Sequence, residues 1–132
     1  MQRSLSILLP VRNAQATLDQ NVREILDVAA DSGESFELLI IDDASTDATS
    51  EVAEELTRHY PQVRVLHHAE SMGREAAIRT GLRRSKGRMV VLRDDQHGYS
   101  VLERRIAPPS LAPSRPARPN YLRRVRDFVF DE

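Results

Sequence analysis

The chain has 132 residues, of which 40% are apolar and 30% charged, with a formal net charge of −1. That size and balance suit one soluble domain with one core, and near-neutrality leaves no global field to attract nucleic acid or a membrane surface. Cysteine is absent, which removes disulfides, thiolate zinc sites and cysteine nucleophiles.

The first apolar run, Leu5–Val11, is too short to span a bilayer, and it lacks the small-residue cleavage site of a signal peptide. The default expectation is a cytoplasmic protein with no integral membrane segment. A strand is predicted at Leu5–Leu9, ended by Pro10, and then a helix over about 15–31 with Leu18, Val22, Ile25 and Leu26 on one stripe. Gly33 stops that helix. The second strand is Phe36–Ile41. The second helix runs over about 47–59, with Val52 and Leu56 inward, and Tyr60-Pro61 ends it. Val63–His67 is the third strand. The third helix spans about 73–85, with Ala76, Ala77, Thr80 and Gly81 as its close-packing side and Gly87 as its stop. Met89–Leu92 is the fourth strand. Helices between successive strands imply parallel pairing and right-handed crossovers. The expected fold class is α/β, a three-layer α/β/α sandwich around a mostly parallel sheet.

Residues 1–97 form the predicted domain, and 98–132 a Pro/Arg-rich tail. Pro108-Pro109, Pro113, Pro116 and Pro119 forbid a long helix there. Tyr121, Leu122, Val125, Phe128 and Val129 then form one helical stripe with Arg123, Arg124 and Arg126 off it. Two readings stay open for that stripe: a surface that docks on the domain or on a second copy, and a frayed end.

Every predicted strand ends in polar residues: Arg12-Asn13, Asp42-Asp43, His67-His68 and Arg93-Asp94-Asp95. In a parallel sheet these four ends share one edge, which is where open α/β sheets bind ligands. Strand ends are also polar simply because they exit to solvent. Two aspartate pairs on different strands weigh against that explanation for all four.

At these residues the sequence resembles the family 2 glycosyltransferases, with their GT-A nucleotide-sugar-binding fold. Ser6-Ile7-Leu8-Leu9-Pro10-Val11-Arg12-Asn13 is similar to the family's opening strand. Glu37–Thr49 is similar to its E-(I/V)-(I/V)-x-V-D-D-G-S-x-D-x-T element, and Gly73–Leu82 with Ser85-Lys86-Gly87 to its third helix. The resemblance covers about the first 97 residues. It implies a nucleotide-sugar partner, UDP- or GDP-linked, and no nucleic acid. Pro10 and Arg12 would flank the base, with Asn13 beside them. Asp43, or its neighbour Asp42, would accept from the base edge, and Gly73 and Arg74 would face the diphosphate from the start of a helix. Ser45 is carried into the nucleotide site by the same motif. Read from the residues alone, Ser45 or Thr46 starts the second helix, and Asp47 suits its dipole.

The resemblance also implies Mg²⁺ or Mn²⁺ at an Asp-x-Asp element after the fourth strand. Two alignments stay open, one with Asp94 and Gln96 in those places and one with Asp94 and Asp95 as the metal ligands. Ala44 replaces the usual glycine, and Ser71 stands where asparagine is frequent. The family's acceptor pocket and catalytic base lie in a second half. The sequence expectation is therefore donor binding with little or no transfer, from a truncated or frame-shifted reading frame. A sheet edge left open by truncation favours self-association, so a homo-oligomer through that edge or through the tail is expected. Two alternatives are a non-catalytic binding or regulatory module that dimerises through Tyr121–Phe130, and a different doubly wound protein, such as a nucleotidyltransferase or a response-regulator-like domain with an acidic pocket. The second is disfavoured by the lack of a Gly-rich phosphate loop.

Overall fold

Unbroken buried runs in the two longest strands decide the architecture. In a computed structural model, which describes residues 4–94 and 98–102, β1 (Ser4–Val11) and β2 (Ser35–Asp42) bury successive residues at Leu5–Leu9 and Leu38–Asp42. Adjacent strand residues face opposite ways, so such runs need cover on both faces of the sheet. The other elements are α1 (Leu18–Asp31), α2 (Thr49–His59), β3 (Val63–His67), α3 (Arg74–Arg84), β4 (Met89–Arg93) and β5 (Tyr99–Leu102). The sheet order is β3-β2-β1-β4-β5. β1 to β4 are parallel, and β5 runs antiparallel to β4.

The order dictates where the helices lie. The chain steps from β1 to β2 to β3 in one direction, then crosses back past β1 to β4. Right-handed crossovers put helices on opposite faces when that direction reverses. Accordingly α1 and α2 cover one face: Leu18, Val22, Ile25, Ala29, Ala53 and Leu56 pack on Leu5, Ile7, Leu9, Leu38, Ile40 and Val91. α3 covers the other, with Ala77, Ile78 and Leu82 against Leu8, Leu39, Ile41, Val90 and Leu92. The three-layer α/β arrangement read from the sequence is the arrangement observed.

Small residues on α3 let it lie close. A methyl group on Gly81 would come within 2.9 Å of Leu8 Cδ1 and 3.0 Å of Ile41 Cδ1. At the amino edge of the sheet the Gly87 amide donates to Ser6 Oγ at 2.7 Å. Glu37 accepts from the Ser6 hydroxyl, the Lys86 amide and Arg64. That bracket ties the α3–β4 turn to β1 and β2.

Two helices begin later than their periodicity suggests. α2 starts at Thr49 rather than 47 because the Asp47 carboxylate accepts from the Thr49 amide and hydroxyl, holding the preceding residues as a turn. α1 starts at Leu18 because the amides of Asn13, Ala14 and Gln15 are taken by Ser45 Oγ, Thr49 Oγ1 and Asp47 Oδ2. Residues 99–102, which composition groups with the tail, form β5. Arg93 is opposite Tyr99 in the register, with its guanidinium 5.6 Å from the ring centre, a cation–π contact that anchors this short strand. Among the described residues no helix is long and apolar enough to cross a membrane. The stripe at Tyr121–Phe130 lies outside the described residues, as do Asp95, Gln96 and His97.

Candidate functional site

Register places the four polar strand ends on one edge. Val11 pairs with Asp42, and Asp42 with His67, while the Asp43 amide donates to the Val11 carbonyl at 3.0 Å. Leu8 pairs with Leu92, so Asp94, two residues on, stands level with Pro10. Strand order turns between β1 and β4, and a crevice forms at such a switch point.

Asp42 and Asp43 are both buried and face opposite sides of the sheet. Asp42 turns toward α2. Its Oδ1 accepts from the Ser45 amide at 3.1 Å and the Ser45 hydroxyl at 2.6 Å, and its Oδ2 lies 3.1 Å from His67 Nδ1. His67 Nε2 in turn lies 2.7 Å from Glu54. The chain then bends sharply through Ala44, whose φ is +59°. Asn13, at φ +53°, closes the facing loop: its Oδ1 accepts from the Thr46 amide, while its own amide donates to Ser45. The Gln15 side chain accepts from the Ala48 amide. The β1–α1 and β2–α2 loops are thus laced together, and Asn13, Asp42 and Ser45 form the lacing.

Asp43 turns toward α3. Oδ1 accepts from His68 Nδ1 at 2.7 Å and the Met72 amide at 2.8 Å; Oδ2 accepts from the Gly73 amide at 2.9 Å and the Ser71 hydroxyl at 3.0 Å. Burial works against its ionisation. The Met72 amide, His68, the Gly73 amide and Ser71 together outweigh that effect and hold the carboxyl well below the usual carboxylate range.

Two adjoining clefts open on this edge. One, about 320 Å³, is lined by Pro10, Val11, Arg12, Asp43, Ser71, Gly73, Arg74 and Ala77. The other, about 190 Å³, lies toward β4, where Thr17, Asn21, Arg93 and Asp94 meet the same Pro10–Arg12 segment. Of the nucleotide-site residues predicted from sequence, Pro10, Arg12, Asp43, Gly73 and Arg74 meet in the first cleft, whereas Asn13, Asp42 and Ser45 sit behind it. Asp94 is in the second cleft and accepts from the Gly98 amide at 2.7 Å. Sequence reasoning placed His68 at a strand end, Thr80 on the packing side of the third helix and Ser71 where asparagine is frequent, but assigned none of the three a partner in the site. His68 Nε2 lies 2.9 Å from Thr80 Oγ1, so the ring links Asp43 to α3. The only sequence signal was that His68 and Thr80 stand at a strand end and on a helix face.

Among the described residues no group of three His, Asp or Glu side chains is gathered to hold a metal ion. Among the described residues, Asp94 is the one carboxylate lining the second cleft. A single carboxylate suits Mg²⁺ or Mn²⁺ only where phosphate oxygens and water complete the shell. The fit is therefore to a cation that arrives with a phosphorylated ligand.

Comparison with known proteins agrees with this geometry. The family described as glycosyl transferase family 2 matches residues 6–106. The chain belongs to that family. A dolichyl-phosphate beta-glucosyltransferase of Trichomonas vaginalis is 29% identical over 112 residues, covering 77% of this chain and 35% of the relative. A dolichol-phosphate mannosyltransferase of Pyrococcus furiosus is 30% identical over 104 residues, covering 77% and 29%. The chain thus spans about a third of the length of these relatives. Among solved structures, a mannosyltransferase of Pyrobaculum calidifontis in complex with GDP-Man and Mn²⁺ superposes with a TM-score of 0.55 at 23% identity, covering 69% of this chain and 27% of that one. S. aureus TarS 1-349 in complex with UDP-GlcNAc gives 0.52 at 23% identity, covering 70% and 26%. The shared fold is GT-A.

Proposed function

We propose that the two clefts at the carboxyl edge bind a UDP- or GDP-sugar. One observation carries the reading. Three segments far apart in sequence, 10–12, 43 and 73–74, line a single cleft at the switch point of a parallel sheet. Arg12 and Arg74 bring two cations to a site that takes a diphosphate, and each charge-assisted bond contributes about 1.5–3 kcal/mol. Pro10 and Val11 offer the base an apolar wall. Asp94 would share a divalent cation with the phosphate oxygens; when bound, such an ion stabilises the departing nucleoside diphosphate. The glycosyltransferase relatives, and neighbours solved with GDP-Man and UDP-GlcNAc, support a nucleotide sugar as the ligand class.

For these 132 residues the proposed activity is donor binding with little or no transfer. A general base must reach the acceptor hydroxyl, and both carboxylates of the Asp42-Asp43 pair are turned inward onto the chain's own donors.

Calorimetric titration with UDP, GDP and ADP, with and without Mn²⁺, tests the proposal. Binding of UDP or GDP is expected, weakened about tenfold or more in Arg12→Ala and in Arg74→Ala. A folded chain that binds neither UDP nor GDP with Mn²⁺ would refute donor binding. Robust sugar transfer by the purified chain would refute the second part.

A further inference from the structure

The three helices divide the charge of the molecule between its two faces. α1 and α2 together carry seven carboxylates and two arginines, whereas α3 carries one carboxylate and four arginines. The near-neutral total of −1 conceals this, because the crossover that reverses direction puts α3 alone on its face. Residues 103–132, outside the described residues, hold seven arginines and four carboxylates. A basic segment is attracted to the α1–α2 face and repelled by the α3 face.

The α1–α2 face also offers a place for such a segment. A groove of about 730 Å³ opens between the two helices. Val52, Leu56 and Tyr60, one per turn along α2 and its C-cap, form the apolar floor, with Asp19, Glu51 and Glu55 on the rim. Arg23 and His59 share that rim, each paired within its own helix, to Asp19 at 3.1 Å and to Glu55 at 3.0 Å. Exposed pairs of this kind hold weakly, so they do not close the rim to a further arginine.

One sequence in the chain matches that floor. Tyr121, Leu122, Val125, Phe128 and Val129 share one face at helical spacing, and a helix with such a stripe needs a surface to bury it. The stripe spans nine residues, 121–129, as does the floor, 52–60; each is about 13 Å of helix. Arg123, Arg124 and Arg126 lie off the stripe, where a seated helix meets an acidic rim. The eighteen residues 103–120, with five prolines, join this segment to the end of β5 at Leu102. Extended, they span about 55 Å, whereas five strands side by side are about 20 Å wide. Either face is within reach, so charge selects the side.

We infer that residues 121–130 dock as a helix in the α1–α2 groove of the same molecule, adding a third helix to that layer. The apolar stripe covers Val52, Leu56 and Tyr60, and the arginines beside it meet Asp19, Glu51 and Glu55. The inference is independent of the nucleotide-sugar reading, since the groove shares no lining residue with either cleft.

The test uses the full chain. It contains no cysteine, so Asp127→Cys, opposite the stripe at helical spacing, carries a single nitroxide label. Paramagnetic broadening of backbone amide signals is expected at Arg23, Glu51, Glu55 and His59 and not at Arg79 or Arg83 on α3. Phe128→Asp in the labelled chain should abolish it. Glu51→Lys with Glu55→Lys, both exposed, should weaken it, and adding Arg123→Glu and Arg126→Glu should restore it. Mixing the nitroxide-bearing chain with an isotope-labelled chain that lacks the nitroxide reports docking between copies. Broadening in that second chain would overturn the inference in favour of a tail exchanged between two molecules. Broadening centred on α3, broadening without preference for a face, or none at all overturns it too, as does broadening that persists in Phe128→Asp.

Discussion

Replacing Ala44 by glycine should stabilise the chain. Ala44 sits at φ +59°, immediately after the two buried aspartates. It cannot relax, because both flanks are fixed: the Asp43 amide is bonded to Val11, and the Ser45 amide and hydroxyl to Asp42. An L-residue held in the left-handed region costs about 1–2 kcal/mol relative to its preferred conformations. Glycine escapes that cost but adds unfolded-state freedom worth about 0.4–1 kcal/mol. The difference is a net gain of roughly 0.5–1 kcal/mol, which in a domain of this size raises the melting temperature by about 2–8 °C. Thermal and urea unfolding of Ala44→Gly and Ala44→Val measure it. The urea slope should be unchanged, because the surface exposed on unfolding is the same. Valine, β-branched and stiffer, should lose more stability than glycine gains. A glycine variant no more stable than the parent, or a valine variant equal to it, would refute the strain argument.

Two further tests probe other parts of the fold. A methyl group at Gly87 would lie 2.6 Å from Ser6 Oγ, 2.7 Å from Ser6 N and 2.8 Å from the Leu5 carbonyl carbon, whereas at Gly81 it meets only the ends of Leu8 and Ile41. Gly87→Ala should therefore cost about 2–3 kcal/mol or more. Gly81→Ala should cost less, since overpacking is partly offset by about 1 kcal/mol of helix propensity; denaturant midpoints in the reverse order would contradict the close-approach geometry. The second test is pH. The Glu54 hydrogen bond raises the His67 pKa; burial opposes this, and Asp42 adds to the rise. The stability His67 contributes is thus complete below the ordinary imidazole pKa of about 6.5 and is lost as pH rises through the higher folded value. Asp43 and Glu37, whose hydrogen bonds outweigh burial and lower their pKa values, contribute stability present above the unfolded carboxylate pKa of about 4 and lost in stronger acid. Melting temperatures measured from pH 2 to pH 9 should show both declines, and an alkaline slope unaltered in His67→Gln would exclude the His67 contribution.

The layers of the molecule and the faces of its helices follow from local sequence pattern alone. Apolar runs at Leu5–Leu9 and Leu38–Ile41 demand cover on both sides. The stripe Leu18, Val22, Ile25 names the buried face of α1, and Ala76, Ala77 and Gly81 name that of α3. The same pattern puts polar residues at four parallel strand ends, and so places a site on one edge. These features are legible because each depends on the period of side-chain direction, a property of a few neighbouring residues. The assignment of the individual aspartates is not of that kind. Which of Asp42 and Asp43 faces α2 or α3, and that Asp43 is met by four donors from a loop some thirty residues away, follows from strand register and crossover direction. The antiparallel β5, paired through Arg93 and Tyr99, is equally invisible in a four-residue stretch beside a proline-rich tail. Sequence alone settled where polar chemistry gathers, because periodicity is local. Only the tertiary structure decided which polar groups stay directed at the cleft and which are consumed in holding it open, because hydrogen-bond partners are chosen across the sheet rather than along the chain.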